Sequence, residues 1–130
     1  MFYKEFKGNQ ISALGFGVMR LPAEEGNPDR FDRQKSQAII DRAIELGVNY
    51  FDTAHIYQKT DSETFLGEAL KKYPRESYYL ATKFYGSRKR DIRKTFFEQL
   101  ERLKTDYVDF YLLHCLEEDT FQLYTDPELD

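Results

Sequence analysis

Four short apolar runs alternate with three amphipathic helical patterns along this 130-residue sequence. The predicted strands cover residues 15–19 (GFGVM), 48–51, 77–84 (SYYLATKF) and 106–114 (DYVDFYLLH). The predicted helices cover residues 33–46, 63–72 and 87–103, with N-caps at Asp32, Ser62 and Ser87. Strands joined by helices of this length pair in parallel, because each crossover returns the chain in the same direction. The sequence therefore predicts an α/β fold built on a parallel sheet.

The segments outside this alternation carry turn signals. A short hairpin is expected within residues 2–14, with Gly8 and Asn9 forming its turn. Residues 20–29 (RLPAEEGNPD) are rich in proline, glycine and acids, which predicts a loop. Gly47 and Pro74 are expected to end the first and second helices. The acidic tail, residues 115–130, shows no pattern of regular structure.

Composition excludes several classes of protein. With 41% hydrophobic and 32% charged residues the chain can form a core, and its net charge of −4 argues against a nucleic-acid partner. A cluster of basic residues on the third helix is expected to be a solvated face: Arg88, Lys89, Arg90, Arg93 and Lys94. The N-terminus has no apolar signal-peptide region, and no apolar run is long enough to cross a membrane. These features predict a soluble, cytoplasmic protein with no membrane partner.

Ionisable side chains follow three of the predicted strands. Asp52 comes directly after the second strand, and Tyr57 lies in the loop beyond it. Lys83 closes the third strand and His114 closes the fourth. Function in parallel α/β sheets collects beyond the carboxyl ends of the strands. We therefore expect the four side chains to face one cleft.

The chemistry of these four groups is coherent. A free tyrosine has a pKa near 10, and an ammonium group close by lowers that pKa. We expect Lys83 to supply this charge, and Asp52 to hold Lys83 by an ion pair. His114 would hydrogen-bond a substrate oxygen or relay a proton. The set suits Tyr57 as a general acid that protonates a carbonyl oxygen during reduction.

Five segments resemble the aldo-keto reductase family in its usual order: GFGVMRLP, AIELGVNYFDTAHIY, SETFLGEAL, YYLATKF and LERLKTDYVDFYLLH. The resemblance implies a (β/α)8 TIM barrel. Residues 1–130 would be one partial domain, holding about the first four βα units after an N-terminal hairpin and truncated after the fourth strand. The resemblance also implies a small-molecule carbonyl substrate, an aldehyde or ketone that is reduced to an alcohol. The implied cofactor is NADP(H), with NAD(H) as the alternative. The family's catalytic tetrad matches Asp52, Tyr57, Lys83 and His114.

The resemblance places cofactor contacts in the loop after the first barrel strand. The matching residues are Gly17, Val18, Met19 and Arg20, together with Asp52. A complete barrel takes about 250 residues, so most groups that hold the cofactor are expected in a half that follows the fourth strand. Residues 15–22 and 116–130 are similar to a bacterial branch that often carries a C-terminal iron–sulfur segment, which these 130 residues do not include.

Other interpretations of the sequence remain. The chain could be a non-catalytic half-barrel that serves as a structural or self-association module, because four parallel strands leave two open edges, expected at residues 15–19 and 107–113. His55 is close to Asp52 in the sequence and His114 is the only other histidine, but the two lack the spacing typical of metal ligands, so no metal is expected. A nucleophile pair of Cys115 and His114 is not expected, because neighbouring residues of a strand point to opposite faces. The Cys115 side chain is instead expected to be packed.

Overall fold

The computed structural model describes residues 1–86 and 91–125. Its strands are β1 (Tyr3–Phe6), β2 (Asn9–Ser12), β3 (Phe16–Gly17), β4 (Ala23–Glu24), β5 (Asn27–Phe31), β6 (Tyr50–Asp52), β7 (Tyr79–Phe84) and β8 (Phe110–Leu113). Its α-helices are α1 (Arg33–Glu45), α2 (Asp61–Leu70), α3 (Ile92–Leu103) and the short α4 (Gln122–Thr125). Short 3-10 segments occupy Tyr57–Thr60 and Arg75–Ser77. No helix among the described residues has the length and apolar character to cross a membrane.

Four strands form one parallel sheet in the order β3-β6-β7-β8. Its register pairs Phe16 with Phe51, Tyr50 with Tyr79, and Ala81 with Phe110. The parallel α/β prediction is therefore confirmed, and the carboxyl ends of the strands meet at one edge. Strands β3 and β8 are the two outer strands of this sheet.

The N-terminal hairpin forms, but its turn lies one residue earlier than expected. Phe6 pairs with Asn9, so Lys7 and Gly8 are the turn residues, with φ of 49° and 83°. Positive φ at both central positions is the requirement of a type I′ turn. The ring of Phe6 lies 5.8 Å from that of Phe110 at the start of β8. The hairpin therefore covers the amino ends of the strands and leaves the carboxyl ends free.

The loop expected at residues 20–29 contains a second hairpin, which corrects that prediction. Strands β4 and β5 pair antiparallel across a turn with Gly26 at φ 78°. The pairing depends on tertiary contacts: the Phe31 ring is fully buried edge-on against Phe65, and its N–H donates to the carboxylate of Asp61 at 2.8 Å. A local pattern of turn residues does not indicate these partners, because they are distant in the sequence.

The helix boundaries confirm one predicted cap and correct another. Asp32 caps α1 by accepting from the N–H of Lys35 at 3.0 Å. Helix α2 begins one residue before Ser62, whose buried hydroxyl donates to the Val18 carbonyl and contacts the Thr53 hydroxyl instead. The N-cap of α3 is Asp91. The cap expected at residue 87, and the basic residues expected at 88–90, lie outside the described residues, whereas Arg93 and Lys94 are exposed as expected.

Helices α1 and α2 pack on one face of the sheet around a core of large apolar side chains: Phe31, Ile40, Phe51, Phe65, Leu66, Leu80 and Leu103. Helix α3 joins this core through Leu103 and lies very close to α2 at Gly67. A Cβ atom on Gly67 would lie 2.5 Å from the carbonyl oxygen of Arg102. The two helix backbones can approach this closely because Gly67 has no side chain.

The acidic tail holds one short regular element, although none was expected. Helix α4 places the ring of Tyr124 6.3 Å from that of Phe84, at the end of β7. The Tyr124 hydroxyl donates to the backbone carbonyl of His114. Cys115 is exposed, and its φ of 52° turns the chain at the end of β8, so the expectation that this side chain is packed was wrong.

Candidate active site

The four ionisable residues of the strand ends lie at the same edge of the sheet. Asp52 is the last residue of β6, and Lys83 is the penultimate residue of β7. His114 directly follows β8, and its N–H donates to the Phe84 carbonyl at 2.8 Å, which extends the ladder by one bond. Tyr57 begins the 3-10 segment between β6 and α2. Because the strands are parallel, all four positions are at their carboxyl ends.

The Lys83 ammonium is fixed by two acceptors from the end of β6. Its Nζ lies 2.5 Å from Asp52 Oδ1 and 2.7 Å from the Thr53 carbonyl oxygen. The Lys83 side chain is 14% exposed, so water screens this ion pair less than it screens a surface pair. The ion pair expected between Asp52 and Lys83 is present.

Tyr57 stands between Lys83 and His114. The Lys83 Nζ lies 5.1 Å from the centre of the Tyr57 ring. The ring of His114 packs edge-on against Tyr57, with 5.6 Å between the ring centres. An ammonium, a phenol ring and an imidazole therefore lie close together at the carboxyl ends of the strands. The arrangement can donate a proton next to a fixed positive charge.

The segment after Tyr57 has an unusual backbone. Gln58, Lys59 and Thr60 have φ values of 45°, 49° and 80°, which residues other than glycine rarely adopt. Contacts to the β4–β5 hairpin hold the turn: Gln58 donates to the Pro28 carbonyl at 2.6 Å, and Lys59 pairs with Asp29 at 2.5 Å. Strain of this kind is found where the surrounding structure imposes a position on a functional residue. We call residues 58–60 the strained turn.

The pKa of His114 lies below its ordinary value of 6.5. Burial is the main cause, since the residue is only 7% exposed, and the Lys83 ammonium lowers the pKa further while Asp52 partly opposes it. Among the described residues no hydrogen-bond partner reaches the buried Nδ1 atom. Both facts favour the neutral ring at neutral pH. A neutral imidazole can donate one hydrogen bond from a ring nitrogen.

The four residues expected to contact a cofactor, Gly17 at the end of β3 and residues 18–20 after it, differ in exposure. A Cβ atom on Gly17 would meet nothing within 4 Å, and Met19 and Arg20 are exposed. Val18, in contrast, is fully buried, its N–H donates to the Asp52 carbonyl at 2.8 Å, and its own carbonyl accepts from Ser62. The backbone of Val18 is thus committed to contacts within the protein, whereas Gly17, Met19 and Arg20 offer surface to a ligand.

A buried polar network that sequence reasoning missed lies between the sheet and the helices. The carboxylate of Glu63 is fully buried and accepts from Thr82, Gln99 and Arg102 at 2.6–2.7 Å. The signal was present in the helical spacing: Glu63 shares the buried stripe of α2 with Leu66 and Leu70, three and seven residues later. A charged residue on such a stripe indicates a buried ion pair.

His55, the other histidine, belongs to this network. Arg102 Nη2 lies 2.8 Å from His55 Nδ1. Within residues 1–86 and 91–125, no group of three or more His, Cys, Asp and Glu side chains is placed to hold a metal ion.

Comparison with known proteins identifies the family. Residues 13–126 match the aldo/keto reductase family. L-galactose dehydrogenase of Arabidopsis thaliana is 41% identical over 117 residues, which cover 83% of this chain and 35% of that protein. The oxidoreductase YqkF of Bacillus subtilis is 36% identical over 116 residues, covering 80% of this chain and 35% of that protein. The chain thus spans about a third of the length of these relatives.

A solved structure agrees with the sequence relatives. The aldo-keto reductase from Klebsiella pneumoniae in complex with NADPH superimposes with a TM-score of 0.75 at 26% identity, over 96% of this chain and 44% of that one. The parallel sheet β3-β6-β7-β8 and its helices therefore correspond to part of the (β/α)8 barrel of such reductases, as expected. By sequence and by structure, this chain belongs to the aldo/keto reductase family.

Proposed function

We propose that residues 1–130 form a partial reductase domain, ending after the fourth barrel strand, that carries the acid–base residues for reducing an aldehyde or ketone to an alcohol. The observation that supports this is the position of Lys83, whose ammonium lies between the carboxylate of Asp52 and the ring of Tyr57. A fixed cation beside the ring can stabilise the negative charge that the phenol oxygen acquires when it gives up its proton in the reaction. Membership of an oxidoreductase family supports the same reaction class.

Each residue then has one role. Tyr57 donates its proton to the carbonyl oxygen of the substrate as negative charge develops there. Lys83 stabilises the phenolate that remains, and Asp52 holds Lys83 so that the ammonium is already in place before reaction. His114, neutral because burial and Lys83 lower its pKa, donates a hydrogen bond that orients the substrate oxygen.

The cofactor we propose is NADP(H), with NAD(H) as the alternative. The open surface above Gly17 and the exposed side chains of Met19 and Arg20 fit a planar, charged ligand beside Asp52. The cofactor, when bound, supplies the hydride. A cationic Arg20 would attract its phosphate groups. The contacts we propose for the cofactor are confined to residues 17–20 and Asp52, so binding is expected to be weak.

NADPH binding tests the cofactor proposal. We expect the 130-residue chain to bind NADPH with a dissociation constant of about 0.1 mM or weaker, because the loop at residues 17–20 and the site residues supply few contacts. Saturation-transfer NMR detects binding in this range, and Arg20→Ala is expected to weaken it. A sub-micromolar dissociation constant would contradict the proposal that these residues supply few contacts to the cofactor.

Turnover tests the role of Tyr57. With saturating NADPH and 4-nitrobenzaldehyde as the probe substrate, Tyr57→Phe is expected to lower the rate at least about 100-fold, because general acid catalysis contributes this much. Tyr107→Phe is the matched control, since Tyr107 packs on Arg75 and lies three residues before β8 begins, on the side of the amino ends of the strands. Equal rates in the two variants would contradict the proposed mechanism.

A second candidate function is self-association without catalysis, and the two outer strands favour it. An outer strand has N–H and C=O groups with no neighbouring strand, and such edges pair readily with another chain. On β8, Leu112 and Leu113 are 40% and 43% exposed. Beside it lies a groove of about 550 Å³ whose lining is mostly apolar but includes two charged residues: Ile92, Arg93, Phe96, Phe97, Val108, Asp109 and Tyr111. A second copy of the chain is the partner we propose.

Light scattering over a concentration series measures this association. We expect dimers or larger species at about 100 μM, which corresponds to pairing of only about −5 kcal/mol. Leu113→Lys places a charge on the exposed edge and is expected to favour the monomer. Leu116→Lys is the control, because Leu116 is 48% exposed but lies beyond β8. A wild-type monomer at the highest concentration would refute the edge argument.

A further inference from the structure

We propose that Glu63 is a positioning residue that fixes Lys83 and the segment carrying Tyr57 from the helix side of the sheet. This inference deepens the proposed function and rests on it, since it takes Lys83 and Tyr57 as the reacting pair. Glu63 touches none of the four site residues with its side chain in the described contacts, so any effect must pass through its partners.

The Glu63 carboxylate is completely buried and uses both oxygens. Oε1 accepts from the Thr82 hydroxyl at 2.6 Å and from Gln99 Nε2 at 2.7 Å. Oε2 accepts from Arg102 Nε at 2.7 Å. A carboxylate without water is stable only when its oxygens are filled by donors and a cation is near. Its three partners are therefore held tightly in place.

One arm of the network leads to Lys83. Thr82 directly precedes Lys83 in β7, and its side chain points toward the helices because strand neighbours alternate. Gln99 Nε2 also donates to the Lys83 carbonyl at 3.1 Å. The side chain of Gln99 accepts from the Tyr111 hydroxyl at 2.7 Å, which ties it to β8. Glu63 thus fixes the backbone from which the Lys83 side chain extends.

The other arm leads to Tyr57. Arg102 uses its Nε on Glu63 and its Nη2 on His55 Nδ1, at 2.8 Å. His55 lies two residues before Tyr57, in the same short connection between β6 and α2. The strained turn holds this connection from the other side, through the β4–β5 hairpin. Tyr57 is therefore fixed at both ends, and one of those ends depends on Glu63.

His114 reports whether the cluster keeps its geometry. The groups that face it are Lys83, Asp52, Tyr57 and Tyr85, with Tyr124 at its carbonyl. Burial and the Lys83 ammonium lower the pKa of His114. If Lys83 is displaced, that pKa rises toward its ordinary value. The chain has only two histidines, so an NMR spectrum of ¹³C-labelled histidine rings has two signals, and His55→Gln assigns them.

The test compares two isosteric changes on α2. Glu63→Gln removes the charge that holds Arg102, and Glu68→Gln removes a similar partner of Arg33 far from Lys83. We expect the titration midpoint of His114 to rise by about half a pH unit in Glu63→Gln, because the Lys83 contribution weakens. In Glu68→Gln it is expected to stay at the wild-type value. A folded Glu63→Gln chain with a wild-type His114 titration would overturn the inference.

A second variant keeps the test decisive if Glu63→Gln does not fold. Gln99→Met keeps the Glu63–Arg102 pair and removes the donor to the Lys83 carbonyl, so it is expected to shift His114 in the same direction. If Glu63→Gln does not fold and Gln99→Met leaves His114 unchanged, the inference is likewise overturned. These readouts need neither cofactor nor substrate. A shift of His114 together with full activity in Tyr57→Phe would retain the positioning role and reject the proposed reaction.

Discussion

Replacing Gly67 by alanine is expected to lower the free energy of unfolding by about 3 kcal/mol, the upper part of the usual range for overpacking. The added Cβ would lie 2.5 Å from the Arg102 carbonyl oxygen and 2.6 Å from the Leu103 carbonyl carbon. Both atoms belong to the backbone of α3, so no side chain can rotate to make room. Helices α2 and α3 would have to separate, and this separation also disturbs the contact between Glu63 and Arg102.

Urea unfolding followed by circular dichroism measures this loss, at a concentration low enough to limit association. Gly17→Ala is the matched control, because a Cβ at Gly17 meets nothing within 4 Å. That change is expected to stay within about 0.5 kcal/mol of wild type. Alanine at Gly67 also gains helix propensity worth about 1 kcal/mol, so the observed value is a net effect. Equal stability of the two variants would show that the helices are not in close contact.

Replacing Arg102 by methionine is expected to cost about 3 kcal/mol, the lower end for a broken buried ion pair, because the Arg102 side chain is 20% exposed. Stability is lost because the Glu63 carboxylate would remain buried with no cation beside it. Removing the charge at Glu63 as well should therefore recover part of the stability. The double variant Glu63→Gln/Arg102→Met is expected to be more stable than Arg102→Met alone.

The same urea measurement, applied to wild type, both single variants and the double variant, gives the coupling energy between the two residues. The exposed pair of Arg42 and Glu45 serves as the reference, since both side chains are more than 60% exposed. Arg42→Met is expected to change stability by less than about 1 kcal/mol. If Arg102→Met lowers the free energy of unfolding no more than Arg42→Met does, burial of Glu63 does not strengthen its pairing with Arg102.

The sequence was sufficient to predict the parallel sheet and the shared position of Asp52, Tyr57, Lys83 and His114. Both follow from local pattern, because an apolar run that ends in an ionisable residue marks the carboxyl end of a strand. Because strands and helices alternate regularly, the strands are parallel and their carboxyl ends lie at one edge of the sheet.

The features that the sequence did not predict depend on partners distant in the chain. Strand β5 forms because Phe31 finds Phe65 and Asp61, about thirty residues later. The Ser62 hydroxyl was expected to cap a helix, a local role, but it bonds the Val18 carbonyl instead. The buried partners of Glu63 come from β7 and α3. Turn and cap preferences describe near neighbours only, so tertiary contacts of this kind override them.

The strained turn has a consequence for directed evolution of this chain. Glycine adopts the backbone angles of Gln58 and Lys59 without the penalty that a Cβ imposes, so selection for thermal stability would favour glycine at both positions. Glycine would also remove the side chains that attach the turn to Pro28 and Asp29, and so release the connection that orients Tyr57. Selection for turnover would therefore oppose selection for stability at these two codons. A library varied at positions 58 and 59 would divide into rigid, less stable sequences and stable, poorly oriented ones.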